Sequence, residues 1–368
     1  MADSDLAFSA QNSALKIFWI HFLTLGYVSV SISTIIEGET AVGRSELRAP
    51  KVTQTLAVLA MCAVLIVVFS LTLKGFFSLG NFFALARNIS ILGILALGMA
   101  VVVIGRGLDL SQVAAFAAST AIAVILMNSG YATPVALLIG FVMAILIGVL
   151  NGFLISVIEM PPLLTTLASS LAVLGIVRTA AVQHYVVYLQ KGHDDFLRLG
   201  GNIWGGVPIS LLVFAATAVV VHLFLSRTVT GRFVYAHGDN PDAARLTGLP
   251  TRPLTMVEYA LCAAIGYVGG VMMVAQTALM HLQVAESTLI FDVIMAVVLG
   301  GVSLVGGRGN VMSVIAGTLL IGVLLNGMTI MDMDVQTQNI VKGIVLLVAI
   351  VLDSRLHPRD EETSKQGD

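Results

Sequence analysis

The chain has 368 residues, 57% of them hydrophobic and only 11% charged, with a formal net charge of −2. A mean hydropathy of +0.97 lies well away from soluble averages and excludes an ordinary soluble domain. The near-neutral charge gives no support to nucleic-acid binding.

Repeated apolar runs of about 20 residues, each able to cross a ~30 Å hydrocarbon layer, predict an all-α polytopic membrane protein of about ten transmembrane helices. The 35 glycines suit close helix packing in lipid. Cys62 and Cys262 both fall inside apolar runs, which argues against a structural disulfide.

Residues 1–53 form an N-terminal accessory segment. Its apolar run Ile17 to Ile36, preceded by Lys16 and containing His21, fits either an extra span or an interfacial helix. No small-residue cleavage site follows it, which disfavours a signal peptide. Residues 37–53 are polar and carry Arg44, Arg48 and Lys51 as a basic collar. Ten spans then follow, at 54–73, 89–105, 110–127, 133–157, 161–182, 207–225, 253–277, 288–304, 310–331 and 336–352. They divide into a first membrane repeat (54–225), a polar loop (226–253), a second repeat (254–353) and a tail (354–368).

Basic residues orient the spans. With 37–53 inside, Arg44, Arg48, Lys51, Arg106, Arg227, Arg232, Arg245, Arg252, Arg308, Arg355, Arg359 and Lys365 face the cytoplasm, twelve in all. Lys74, Arg87, Arg178, Lys191, Arg198 and Lys342 lie outside or at outer ends, six in all. The two-to-one bias places the polar loop and the tail in the cytoplasm.

Ile147-Gly-Val-Leu-Asn-Gly152 in the fourth span recurs with one insertion as Ile321-Gly-Val-Leu-Leu-Asn-Gly327 in the ninth, so Asn151 corresponds to Asn326. Copies five spans apart run in opposite directions, the pattern of an inverted-topology repeat. A match this short also arises by chance between Gly/Leu-rich helices.

Inside the spans, Asp109 in Gly105-Arg-Gly-Leu-Asp-Leu-Ser111 can cap the third helix with Ser111 or pair with Arg106. Thr165, Thr166, Ser169 and Ser170 follow Pro161-Pro162 in the fifth span. Their hydroxyls fit either of two roles, bonding their own helix carbonyls or lining a pathway. Lys342, with Gln338 and Asn339 in the tenth span, faces water or a partner and not lipid.

The loop 226–253 carries a compact helix signal. Asn240 is an N-cap, Pro241 the first helical residue and Asp242 complements the positive helix start. Ala243, Ala244, Arg245 and Leu246 propagate the helix and Gly248 caps it. Spacing alone fits a connector as well as a docking helix for a soluble partner. No G-x-x-x-x-G-K-[ST], H-E-x-x-H or Cys/His cluster occurs, and Gly306-Gly-Arg-Gly309 with Arg308 is a tight turn without a preceding strand. The chain therefore carries no catalytic, metal or cofactor motif of its own: a pathway without an engine.

Leu97-Gly-Met-Ala, Ile104 to Ser111, Gly238 to Gly248, Phe291 to Gly309 and Asn339-Ile-Val-Lys-Gly343 together resemble the ribose/xylose-type sugar permeases of bacterial ABC importers over about 54–353. Where the family reads Gly-Gly-Ile-Asp-Leu-Ser-Val-Gly, this chain has Arg106-Gly-Leu-Asp-Leu-Ser-Gln-Val113, so local packing there is expected to differ.

The resemblance implies a type II importer permease in the bacterial inner membrane, paired with a second permease copy or homologue. It also implies two cytoplasmic ATPase subunits that hold ATP and Mg, a periplasmic binding protein, and a monosaccharide or small polyol as cargo. Asn240 to Leu246 with Gly248 would couple to the ATPase; Thr165, Thr166, Ser169 and Asn339 would line the pathway; Asp109, Ser111, Asn151, Asn326 and Arg308 would be structural. An ATP-independent carrier and a non-transporting scaffold are the competing readings.

Overall fold

The computed structural model describes residues 54–181, 185–203 and 206–356. The accessory segment 1–53 with its basic collar, and the tail from 357 onward, lie outside the described residues. Thirteen α-helices account for most of the rest. Ten of them answer the ten expected spans: α1 Gln54–Thr72, α2 Leu79–Ile104, α3 Gln112–Asn128, α4 Thr133–Ser156, α5 Pro162–Ala180, α7 Ile209–Arg227, α10 Thr251–Thr277, α11 Leu289–Gly300, α12 Val311–Ile330 and α13 Val335–Leu356. Between them lie α6 (Asp194–Leu197), α8 (Val229–Asp239) and α9 (Pro241–Leu246), with two short strands, β1 (Val186–Tyr188) and β2 (Leu279–His281). Among the described residues, seven helices are long and apolar enough to cross a membrane, and α3, α11 and α13 add shorter apolar stretches. The protein is an all-α polytopic membrane protein.

Burial sorts the helices into two shells. Residues 92–104 of α2 and nearly all of α3 are buried, and they meet α10, α11 and α12 in one continuous core. By contrast α1, α4, α5, α7 and α13 bury one side and turn residues such as Leu71, Leu138, Leu164, Val220 and Leu347 outward, as a lipid-facing shell does. Within the core, α10 packs on α2, α3 and α4, while α12 packs on α1, α2 and α11.

Two boundaries differ from expectation. The second span begins at Leu79, ten residues early, because Asn81, Arg87 and Asn88 break the apolar run in sequence, yet Asn81 and Arg87 find partners in space. Asn81 exchanges amide bonds with Asn326 (2.9 and 3.0 Å), and Arg87 donates to Asn202 (3.0 Å). The eighth span stops at Gly300, since Gly301 turns left-handed (φ 101°). Twelve residues reach only about 18 Å, so α11 is a partial crossing. The loop after it is buried at Val302 and Ser303, and burial in protein is one of the settings in which irregular backbone is tolerated at membrane depth.

The loops gather on two opposite faces. On one, 105–111, 238–239 and 303–309 touch, and Glu159 between α4 and α5 pairs with Arg252 (3.5 Å). On the other, β1 and β2 form an antiparallel pair with Val187 opposite Met280, and Asn128 clasps this hairpin through Tyr188 O and Gln190 N (2.8 and 2.9 Å). We call them the loop face and the hairpin face.

Candidate functional site

The polar loop holds two helices where the sequence suggested one. In α8, Thr228 Oγ1 accepts from Gly231 N (2.9 Å), and Gly231, Val234 and Gly238 form a buried stripe at helical spacing. That stripe seats α8 on the body. Tyr235 donates its hydroxyl to Gly309 O (2.9 Å), and Gly307 N donates to Ile104 O (2.8 Å). Gly238 closes on these same atoms so tightly that a side chain there would strike Ile104 O and Gly307 N. One joint thus locks the end of α8 to the end of α2 and to the turn before α12. His237 lies in it, its ring held below the usual histidine range first by burial and then by the charges of Arg245 and Arg106.

From this joint α9 projects. Asn240 Oδ1 accepts from Ala243 N (2.9 Å), Pro241 opens the helix and Asp242 sits in its first turn. At the other end Gly248 N donates to Arg245 O and Leu249 N to Ala244 O (both 3.0 Å), with Gly248 at φ 81°. This six-to-one and five-to-two pair of bonds is a Schellman cap. Only Ala244 of α9 is buried; Asp242, Ala243 and Arg245 are exposed, and Leu246 is 90% exposed. Beside it lies an open cleft of about 370 Å³ lined by Arg245, Leu249, Pro250, Thr251, Arg252 and Pro253. The capped helix thus leaves Leu246 bare next to Arg245.

Asp109 turns to Ser111, not to Arg106. Its Oδ1 accepts from Ser111 N (2.9 Å) and Ser111 Oγ (2.6 Å), and Asn151 Nδ2 donates to Ser111 Oγ (2.7 Å). The chain ties α4 to the start of α3, whereas Asn326, the matching asparagine, ties α12 to α2. Gln112, standing where the family pattern has valine and just before the position of the missing glycine, is fully buried. It donates to Leu95 O (2.9 Å) in space left open by Gly98 and Gly266. Arg308 contributes its backbone, accepting from Ser303 N (3.2 Å), and its side chain is exposed.

The four pathway candidates do not behave alike. Thr165 and Thr166 are buried and donate to Pro161 O and Pro162 O (both 2.9 Å) in their own helix, so they line no open space in this conformation. Ser169 and Asn339 are half-buried, and Asn339 Oδ1 accepts from Thr288 Oγ1 (3.3 Å). Lys342 has a partner: Nζ donates to Asp292 Oδ2 (2.9 Å) and to Thr288 Oγ1 (3.2 Å), with side chains only 13% and 7% exposed.

Sequence reading passed over three charged groups. Asp292 is one. Glu258 is another, 1% exposed, its carboxylate against Gly105 and Oε1 unpartnered. The third, Glu286, pairs with Arg178 (2.9 Å). A lone carboxylate inside the seventh apolar run was the available signal for Glu258. The other two needed contacts about 50 and 108 residues away in sequence, which no local pattern carries.

Comparison with known proteins agrees with this architecture. A family model described as branched-chain amino acid transport system / permease component matches residues 81–350. The ribose import permease protein RbsC of Bacillus subtilis (strain 168) is 30% identical over 292 residues, covering 79% of this chain and 90% of its own length. RbsC of Escherichia coli (strain K12) is 28% identical over 293 residues, with 79% and 91% covered. The L-arabinose transport system permease protein AraH of Escherichia coli (strain K12) is 28% identical over 300 residues, with 80% and 89% covered.

Proposed function

The chain belongs to the permease-component family of branched-chain amino acid-type transport systems, and on that premise we propose that it is the membrane permease subunit of an ATP-driven importer for a monosaccharide or small polyol. It works in the bacterial inner membrane beside a second permease, identical or homologous. Two cytoplasmic ATPases supply the energy and a periplasmic binding protein delivers the cargo. The loop face is cytoplasmic and the hairpin face periplasmic.

The observation that carries this reading is the mounting of α9. Its exposed Leu246 and Arg245 suit an ATPase groove, and the joint at Gly238 leaves no slack between α9 and the ends of α2 and α12. Movement of the ATPase dimer is thereby delivered to the membrane core as a rigid displacement. Residues 54–225 and 254–353 are the two inverted repeats. In support, α3 packs on α4 and α5 as α11 packs on α12 and α13. The outlying members, α5 and α13, flank the pathway and tilt to alternate access. Neutral hydroxyl-rich cargo needs only scattered polar groups, so selectivity rests with the binding protein.

The deciding experiment is ATP-dependent sugar uptake by the permease copurified with its ATPases in vesicles. A stand-alone carrier would transport without them, and a scaffold would not transport at all. Two narrower results are expected. Ser169→Leu and Asn339→Leu should lower uptake, whereas Thr165→Val should leave it unchanged, because that hydroxyl only bonds its own helix. Equal loss from all three would restore Thr165 to the pathway. For orientation, single cysteines replacing Asp239 and Glu361 should resist an impermeant thiol reagent on intact cells. Labelling of either from outside would invert the topology.

A further inference from the structure

The hairpin face has a feature that reaches beyond the family reading. The short stretch from Leu282 to Asp292 runs from the end of β2 into the first turn of α11, and it is anchored: Leu282 is fully buried, as is Met280 before it, and Leu282 N donates to Tyr185 O (2.8 Å). Two carboxylates leave this one stretch toward two different helices. Glu286 pairs with Arg178 in the last turn of α5 (2.9 Å), and the Arg178 guanidinium also stacks 4.3 Å over the Tyr185 ring. Six residues on, Asp292 pairs with Lys342 of α13 (2.9 Å), assisted by Thr288, which also bonds Asn339 of the same helix.

The helices held in this way are the ones with least other support. Among the described residues, the extensive packing of α13 is with α11 alone. Beyond the Leu282–Glu286 turn, α5 packs on α3 and α4, with Leu164, Leu171 and Ile176 facing away. A helix with so few apolar contacts is positioned largely by its polar ones.

We propose that Leu282–Asp292 is the periplasmic latch of the translocation path, with Glu286 and Asp292 as positioning residues that hold α5 and α13 together and release them when the path opens on that face. This rests on the reading of α5 and α13 as pathway helices. The two prongs are unequal. Arg178 and Glu286 are 27% and 52% exposed, so water and salt compete for that pair and it opens first. Asp292 and Lys342 are nearly closed off, and Asp292 Oδ1 has no partner of its own. Separating them leaves two charges that only entering water or the hydroxyls of a passing polyol can satisfy.

The test uses the complete importer in proteoliposomes. Cysteine pairs replace Arg178 and Glu286, or Asp292 and Lys342, and are joined by a short bis-methanethiosulfonate, which forms one disulfide with each thiol, releases methanesulfinate and is cleaved by reductant; the native Cys62 and Cys262 are buried and stay in place. Cross-linking either pair should lower uptake about tenfold or more, a barrier change of at least ~1.4 kcal/mol, and reductant should restore it. The rate of cross-linking should fall when the ATPases are held with a non-hydrolysable nucleotide, a response that a static tie would not give.

Independently, Arg178→Glu and Glu286→Arg should each reduce uptake per ATP hydrolysed about two- to fivefold, the range of exposed ion pairs. The exchanged double variant should recover it. Uptake at the full rate through cross-linked helices, cross-linking indifferent to nucleotide, or no recovery in the exchange overturns the latch and leaves the permease assignment standing. Absence of uptake from the unmodified complex overturns both.

Discussion

Gly317→Val is expected to prevent stable assembly of the membrane core, while Gly343→Ala leaves it unchanged. Both glycines lie inside apolar helices, and composition does not distinguish them. Their surroundings do. A Cβ at Gly317 would meet the carbonyl of Ala296 and the backbone of Gly300, so α12 and α11 touch there main chain to main chain. At Gly343 nothing lies within 4 Å. Overpacking an ordinary core costs about 1–3 kcal/mol because neighbouring side chains can shift. Here the neighbours are backbone, which cannot move without pulling α11 off α12. The cost should exceed about 3 kcal/mol, a large share of the margin by which a protein stays folded. Thermal aggregation of the detergent-extracted subunit, followed by size exclusion, should show a large drop in midpoint for Gly317→Val and none for Gly343→Ala. Equal midpoints would mean that the two helices have room to separate.

That contrast also marks how far the sequence could be read. The ten apolar helices were legible because each carries an apolar run, seven of them long enough to cross a membrane, and the cap residues of Asn240–Gly248 were legible because capping is settled within a few residues. The N-terminal ten residues of α2 were not, since Asn81 and Arg87 look like a break until Asn326 and Asn202 are placed beside them. Helix α8 was hidden for a different reason: two of its three body-facing positions, Gly231 and Gly238, are glycines, which read as turn residues and not as an amphipathic stripe. Of the candidate pathway residues, Thr165 and Thr166 showed the limit of residue type as evidence. A hydroxyl on a membrane helix suits water or its own carbonyl equally well, and in this structure both donate to carbonyls at the start of their own helix. Lys342 was correctly singled out as needing a partner, but only the folded chain could supply Asp292.

Gly248→Val and Arg245→Glu are expected to uncouple the importer without removing it from the membrane. Gly248 holds φ 81° and has no atom within 4 Å, so valine meets no clash there, only its own backbone preference. An L-residue in that left-handed conformation costs roughly 1–2 kcal/mol, and a β-branched one resists it further. The Schellman bonds from Gly248 and Leu249 to Arg245 and Ala244 should loosen, and a six-residue helix has no reserve of its own to compensate. Arg245→Glu leaves the helix intact and reverses one charge at the cleft it lines with Arg252. The two variants therefore perturb geometry and charge separately at one surface. Both should lower sugar-stimulated ATP hydrolysis and uptake together, by about tenfold for a coupling loss of ~1.4 kcal/mol. Because Gly248 and Arg245 are exposed and outside the spans, surface expression should stay at the unsubstituted level; the thermal midpoint should stay there for Arg245→Glu and fall by no more than a few degrees for Gly248→Val. Full coupled transport from both variants would reduce α9 to a connector. Loss of uptake with undiminished ATP hydrolysis would place the defect in the pathway, beyond the reach of α9.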